Sequence, residues 1–319
     1  LKVGYLAGQL IDRSFAFVPD GIGRFDGLTA PDAVAVHDKE CLMFDPNTVS
    51  EVISAAKDEA MADADTARRA ISVLDLTSLN DDDNEQVIEA LCKRAQTPVG
   101  NTAAVCVYAP FIETSWRALG QSGVKTATVV NFPEGGTNAQ RVGDETANCV
   151  SKGADEIDLV FPYKAFLDGD VATATEVVDA TRMACGTMTT MKVILESGEF
   201  DDLGKLYEAA RLAIKHGANF VKTSTGKVAV GATPEAAVVM LTAIRDARDE
   251  DGIDAGFKAS GGVKTTDDAA LYLAIADHIM GNGWAKPETF RFGASGVLTA
   301  LLETCGSKPG DAPAPTGNY

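Results

Sequence analysis

The chain alternates between two periodicities, and that alternation constrains it more than any other feature. Eight short runs rich in β-branched residues lie at 72–76, 103–108, 126–131, 156–161, 191–196, 219–223, 255–260 and 290–294. Amphipathic stretches long enough for a helix separate them. Eight strands alternating with helices over about 240 residues is the arithmetic of an α/β fold of the (β/α)8 barrel type. A doubly wound open sheet shares the alternation, but the G-x-G-x-x-G fingerprint that would support it after a first strand is absent. An internal echo supports the repeat. Lys-Gly-Ala-Asp-Glu-Ile-Asp at 152–158 lines up with His-Gly-Ala-Asn-Phe-Val-Lys at 216–222. Each is a helix-ending glycine, a turn and a strand, and the alignment puts Asp158 and Lys222 at the same depth.

Residues 66–306 therefore read as the barrel. Residues 1–65 form an N-terminal extension, irregular and then helical, with Asn47 as cap of a helix whose apolar face carries Val49, Val52, Ile53 and Ala56. Residues 307–319 hold three prolines and two glycines and read as a flexible tail.

Barrel strands are buried on both faces, so charges within them are informative. On the first run Leu74 and Leu76 suit the helix side and turn Asp75 inward. Ile157 and Leu159 do the same for Asp158, and Met191, Val193 and Leu195 for Lys192. Val221 leaves Lys222 inside, and Phe257 leaves Lys258 inside. Three lysines and two aspartates then share one interior. Burying a lone charge costs several kcal/mol, so each must be paired, deprotonated or both. A structural ion-pair cluster is one reading of this. The chemical reading is a lysine whose pKa is depressed by desolvation and by a second ammonium. A neutral amine attacks a carbonyl, and the resulting iminium is an electron sink for a neighbouring C–C bond. Lysine, a poor structural fork but a good amine nucleophile, favours the second reading.

Glycine-bearing loops follow three adjacent strands. They are Thr-Ser-Thr-Gly-Lys at 223–227, Gly261-Gly262, and Gly-Ala-Ser-Gly at 293–296, the last opening a helix. Backbone N–H groups at such turns and at a helix N-terminus cradle phosphate. The first is no Walker A loop, since Val221 and Val228 stand where that motif needs Gly and Ser or Thr.

Charge and cysteine usage narrow the partners. With 46 acidic against 28 basic side chains, a formal charge of −18 argues against nucleic acid or an anionic membrane. No apolar run approaches the roughly 20 residues that span a bilayer. The six cysteines (41, 92, 106, 149, 185 and 305) include no CxxC pair, as expected of reduced thiols in a cytoplasmic protein. His37, His216 and His278 have no metal-ligand spacing, so no metal is expected.

Phe-Val-Lys-Thr-Ser-Thr-Gly-Lys at 220–227, Gly-Phe-Lys-Ala-Ser-Gly-Gly-Val at 256–263 and Glu-Ile-Asp-Leu-Val at 156–160 resemble the signature segments of the deoxyribose-phosphate aldolase family. Asp-Leu-Thr at 75–77 with Leu79, residues 102–108 and Arg-Phe-Gly-Ala-Ser at 291–295 extend the likeness from about residue 65 to 302. The resemblance implies a (β/α)8 barrel and aldol cleavage through a lysine Schiff base, with no metal or other cofactor. It implies Lys222 as the Schiff-base lysine, Lys258 as the lysine that lowers its pKa, and Asp158 as the acid/base group working through water. Lys192 would support Asp158. Gly226, Lys227, Gly261, Gly262 and Ser295 would hold the phosphate, with Asp75, Thr225 and Gly296 in the substrate-binding set. Some members end in a tyrosine that folds over the barrel mouth, which would make Tyr319 a catalytic accessory delivering a proton to the enamine carbon. The family often has Pro-Ala where Ala259-Ser260 stand, Arg at Lys264 and a second serine at Gly296. The first sixty residues match no pattern of the family. The activity so implied is reversible cleavage of 2-deoxyribose 5-phosphate to glyceraldehyde 3-phosphate and acetaldehyde in deoxyribonucleoside catabolism, by a homo-oligomer, a dimer. A Schiff-base barrel aldolase acting on another sugar phosphate, or a silent phosphosugar-binding barrel, would share most of these features.

Overall fold

A computed structural model describes Asp45 and residues 47–307. Tyr319, the tail from 308, Cys41, His37 and most of the N-terminal extension lie outside the described residues. Each of the eight sequence runs overlaps a strand: β1 (Leu74–Thr77), β2 (Ala104–Val107), β3 (Lys125–Val130), β4 (Glu156–Val160), β5 (Thr190–Ile194), β6 (Phe220–Lys222), β7 (Gly256–Ser260) and β8 (Phe290–Ala294). All pair in parallel and close into a ring, with β1 bonded to both β8 and β2. The fold is a (β/α)8 barrel. A small antiparallel pair, Gln96–Thr97 with Gly100–Asn101, lies outside the ring and was not anticipated.

The helices are α1 (Asn47–Glu59), α2 (Ala64–Ser72), α3 (Glu85–Arg94), α4 (Ile112–Leu119), α5 (Ala139–Ser151) and α6 (Tyr163–Leu167). They continue as α7 (Val171–Cys185), α8 (Leu203–Lys215), α9 (Pro234–Asp246), α10 (Thr266–Met280) and α11 (Val297–Thr304). Short polar residues set most of their starts. Asp63, Asn84, Asn138, Asp170, Asp202, Thr233 and Thr265 each accept backbone N–H groups of the helix that follows. Such a cap contributes about 1 kcal/mol. The expectation for α1 needs correcting: Asn47 is its first helical residue, and the Asp45 carboxylate accepts the Asn47 N–H at 2.9 Å. That helix packs on α9 and α10. Arg69 of α2 forms a two-pronged ion pair with Asp277 of α10 at 2.5 and 2.6 Å.

Two apolar regions result from the period-two pattern. Outward residues, among them Leu74, Ile157, Met191, Val221 and Phe257, join the helices in one large core. Leu79, Ala104, Cys106, Ala127 and Val129 form a second, smaller cluster. Ala104 is in register with Asp75, and Val129 with Asp158, so this cluster shares the inner face with the charges. The β2–β3 side of the interior is thus small and apolar, and the remaining strands supply the polar groups.

Candidate active site

All five inward charges expected from the sequence lie in the barrel interior, each buried. Register explains who meets whom: Asp158 on β4 is level with Lys192 on β5, and Lys222 on β6 with Lys258 on β7. Asp158 is the hub. Its Oδ1 accepts the Lys192 ammonium at 2.8 Å, and its Oδ2 accepts both Lys222 at 2.9 Å and Lys258 at 2.8 Å. Lys258 also donates to Asp75 at 2.5 Å.

Two further interior charges went unread in the sequence. Arg291 on β8 bonds Asp75 at 2.5 Å and Glu156 at 3.1 and 2.7 Å, and Lys192 lies 2.5 Å from Glu156. The signal was available: Glu156 stands two residues before Asp158, and Arg291 two before Gly293, on the same period-two face. The ion-paired web therefore holds four basic side chains and three carboxylates. It balances when one base is neutral.

The geometry selects that base. Two ammonium groups on one carboxylate oxygen repel each other. Lys258 keeps its proton because, although burial opposes its charge, Asp158 and Asp75 together outweigh burial and raise its pKa. Lys192 is raised likewise, with burial outweighed by Asp158, Glu156 and Asp75. Lys222 has Asp158 as its one carboxylate within ion-pairing distance among the described residues. Burial, joined by the Lys258 ammonium, holds its pKa below the usual lysine value against the pull of Asp158. Burial alone would raise the Asp158 carboxyl, but Lys192, Lys222 and Lys258 hold it well below the usual range. A lysine whose pKa is pushed down and a carboxyl held well below its usual range thus stand 2.9 Å apart.

The glycine loops converge at the C-terminal ends of β6, β7 and β8. Gly226, Gly261 and Gly262 all have positive φ (+78°, +78° and +93°), a region that an L side chain enters only with strain. Ser295 is buried and Gly296 caps α11, so the last turn does open a helix. One expectation shifts. Gly293 belongs to β8 rather than to the anion turn; a Cβ there would stand 2.9 Å from Lys258 Cε and 2.7 Å from Ser260 Oγ. Its bareness makes room for the lysine. The Lys227 ammonium reaches across the mouth to the Leu79 carbonyl at 2.6 Å. Of the departures from the family pattern, Ala259 is buried among the core residues, while the Ser260 N–H donates to Thr223 Oγ1 and stitches β7 to β6. Beside the ends of β1–β3, a cavity of about 450 Å³ is bounded by Asn80, Tyr108, Val129 and Phe132.

Comparison with known proteins agrees with this geometry. A family model described as DeoC/LacD family aldolase matches residues 69–299. A deoxyribose-phosphate aldolase of Agrobacterium fabrum is 47% identical over 250 residues, covering 78% of this chain and 95% of the relative. Among solved structures, one assigned as a deoxyribose-phosphate aldolase from Toxoplasma gondii superposes with a TM-score of 0.69 at 24% identity, covering 77% of this chain and 96% of that one. The tetrameric deoxyribose phosphate aldolase of Aeropyrum pernix gives a TM-score of 0.61 at 22% identity, covering 81% of this chain and 98% of that one.

Proposed function

The chain belongs to the DeoC/LacD family of aldolases, and from that premise we propose that it is a 2-deoxy-D-ribose 5-phosphate aldolase working through a Schiff base on Lys222. One observation carries the assignment of the nucleophile: Lys222 and Lys258 share Asp158 Oδ2, and of the two lysines Lys258 alone has a second carboxylate among the described residues. Neutral Lys222 attacks the C1 aldehyde of the open-chain sugar, and loss of water leaves the iminium. Ionised Asp158, through a water, takes the proton from the C3 hydroxyl. The C2–C3 bond breaks, its electron pair moves into the iminium to give an enamine, and glyceraldehyde 3-phosphate departs. The proton returns to the enamine carbon, and hydrolysis frees acetaldehyde and Lys222. Lys258 and Lys192 remain charged and hold Asp158 ionised until it takes up that proton. Gly226, Lys227, Gly261, Gly262 and Ser295 hold the phosphate, and Thr225 and Gly296 shape its surroundings.

The protein assembles as a dimer and resides in the cytoplasm on this reading. Its free thiols at Cys92, Cys106, Cys149, Cys185 and Cys305 suit a reducing compartment, and no described helix is long and apolar enough to cross a membrane. Light scattering of the purified protein tests the dimer.

Adding deoxyribose 5-phosphate should release acetaldehyde. Acetaldehyde with borohydride should leave one ethyl group, mapped to Lys222. Labelling of Lys258 instead would reverse the two lysines, and faster cleavage of a different sugar phosphate would reassign the substrate.

A further inference from the structure

Glu196 is a buried carboxylate that the chemistry above leaves unused. It stands two residues beyond β5 in the left-handed region (φ +60°, ψ +55°), where a non-glycine residue is uncommon. Backbone bonds on either side fasten it to the exit of β6: Leu195 N–H donates to Lys222 O at 2.9 Å and Ser197 N–H to Thr223 O at 2.8 Å. It forms no ion pair among the described residues. Both carboxylate oxygens go instead to one residue. Oε1 accepts the Thr225 N–H at 3.0 Å, and Oε2 accepts the Thr225 hydroxyl at 2.6 Å. The Thr225 Oγ1 then accepts the Lys227 N–H at 3.0 Å, so one carboxylate organises the turn from 225 to 227.

We propose that Glu196 is a positioning residue: it holds the Thr225–Gly226–Lys227 turn in the shape that receives the substrate's phosphate, and thereby sets the preference for phosphorylated over free sugar. This rests on the assignment of the phosphate to the β6–β8 loops. A buried carboxylate accepting two hydrogen bonds is a stronger anchor than a neutral acceptor. Without it, Thr225 loses both acceptors at once, and the turn is free to re-form around its own backbone. Lys222 lies on the strand before the turn and is tied to Leu195 rather than to the Glu196 side chain, so the amine itself stays in place.

Glutamine at this position keeps one acceptor for the Thr225 N–H and offers its amide N–H to the hydroxyl, so shape survives and charge does not. Glu196→Ala removes both. Binding of glycerol 3-phosphate, an unreactive phosphomonoester, is measured by calorimetry beside steady-state kinetics. Glu196→Ala should weaken glycerol 3-phosphate about tenfold or more and raise KM for deoxyribose 5-phosphate comparably. Borohydride trapping of acetaldehyde on Lys222 and kcat/KM for unphosphorylated deoxyribose should stay within about threefold of the parent, and Glu196→Gln should restore phosphate binding to the same margin. Thr225→Val, which removes the hydroxyl but keeps the volume, should reproduce part of the loss if the alanine variant does not fold. Unchanged phosphomonoester binding, equal losses on both sugars, or a glutamine variant as poor as alanine would each overturn the proposal. Wild-type protein that leaves deoxyribose 5-phosphate intact would refute the aldolase assignment alone, and the glycerol 3-phosphate arm would still decide the role of Glu196.

Discussion

Lys222 and Lys258 are neighbours on adjacent strands with the same chemistry, yet their surroundings divide them. Two carboxylates hold Lys258 charged, whereas burial and that very charge push Lys222 towards the neutral amine. Lys258→Leu removes the second ammonium, so the Lys222 pKa should rise. Neutral amine then appears only at higher pH. The acid limb of imine trapping should move up by about one pH unit or more, with activity partly recovered in alkaline buffer. Equal inactivity at every pH would give Lys258 a direct part in proton transfer. The same asymmetry has a consequence for stability. Leucine at 258 strips Asp75 and Asp158 of a buried partner and should cost about 3–5 kcal/mol. Lys222→Leu relieves crowding on Asp158 Oδ2 while leaving that carboxylate its other two lysines. It should abolish turnover with a melting temperature no lower than the parent's, and thermal unfolding of both variants checks the contrast. Asp158→Asn should retain imine trapping and lose about 10²–10⁴ in cleavage, because an amide shuttles no proton.

At the scale of elements, β8 shows how a strand serves a site by what it lacks. Gly293 opposes Ser260 on β7 and Asp75 on β1, and the space a side chain would fill is occupied by Lys258. Gly293→Ala should push the Lys258 ammonium off its two carboxylates. A loss of about 1–3 kcal/mol in stability, as for other overpacked cores, should accompany a drop in kcat of about tenfold or more. Unchanged kcat would show that the lysine relaxes without cost. In the β7 loop, Gly262→Asp combines strain at φ +93° with a negative charge beside the proposed phosphate position. KM should rise for deoxyribose 5-phosphate much more than for free deoxyribose; equal effects would place the anion elsewhere. The eight strands were legible because each is a local period-two pattern. The β-rich run at 191–196 outlasts its strand, since β5 ends at Ile194 and Glu196 turns left-handed. Nothing local announces that turn, which is held by Thr225 29 positions further along the chain. The same local pattern also marks Glu156 and Arg291 as inward.

For the whole molecule, the buried web makes stability depend on acid. Burial alone would raise the carboxyls of Asp75 and Asp158, but Arg291, Lys258, Lys192 and Lys222 outweigh it and hold both far below their unfolded values. A carboxyl depressed in the folded state stabilises above its unfolded pKa of about 3.9 and loses that contribution as pH falls further. The melting temperature should therefore be nearly level from neutral pH to about 5 and drop steeply below about 4; a level profile down to pH 3 would mean the web adds little. The alternation of strands and helices, the inner or outer face of each strand residue, and the glycines that bend three loops are all written locally, because each follows from neighbours a few positions apart. Which charges meet is settled by the closed ring instead. Asp158 reaches Lys192 across 34 positions, Lys222 across 64 and Lys258 across 100, and Arg291 reaches Asp75 across 216. Those distances close only through the registers of the finished ring, and the number of carboxylates each lysine meets there decides whether its pKa is held up or pushed down.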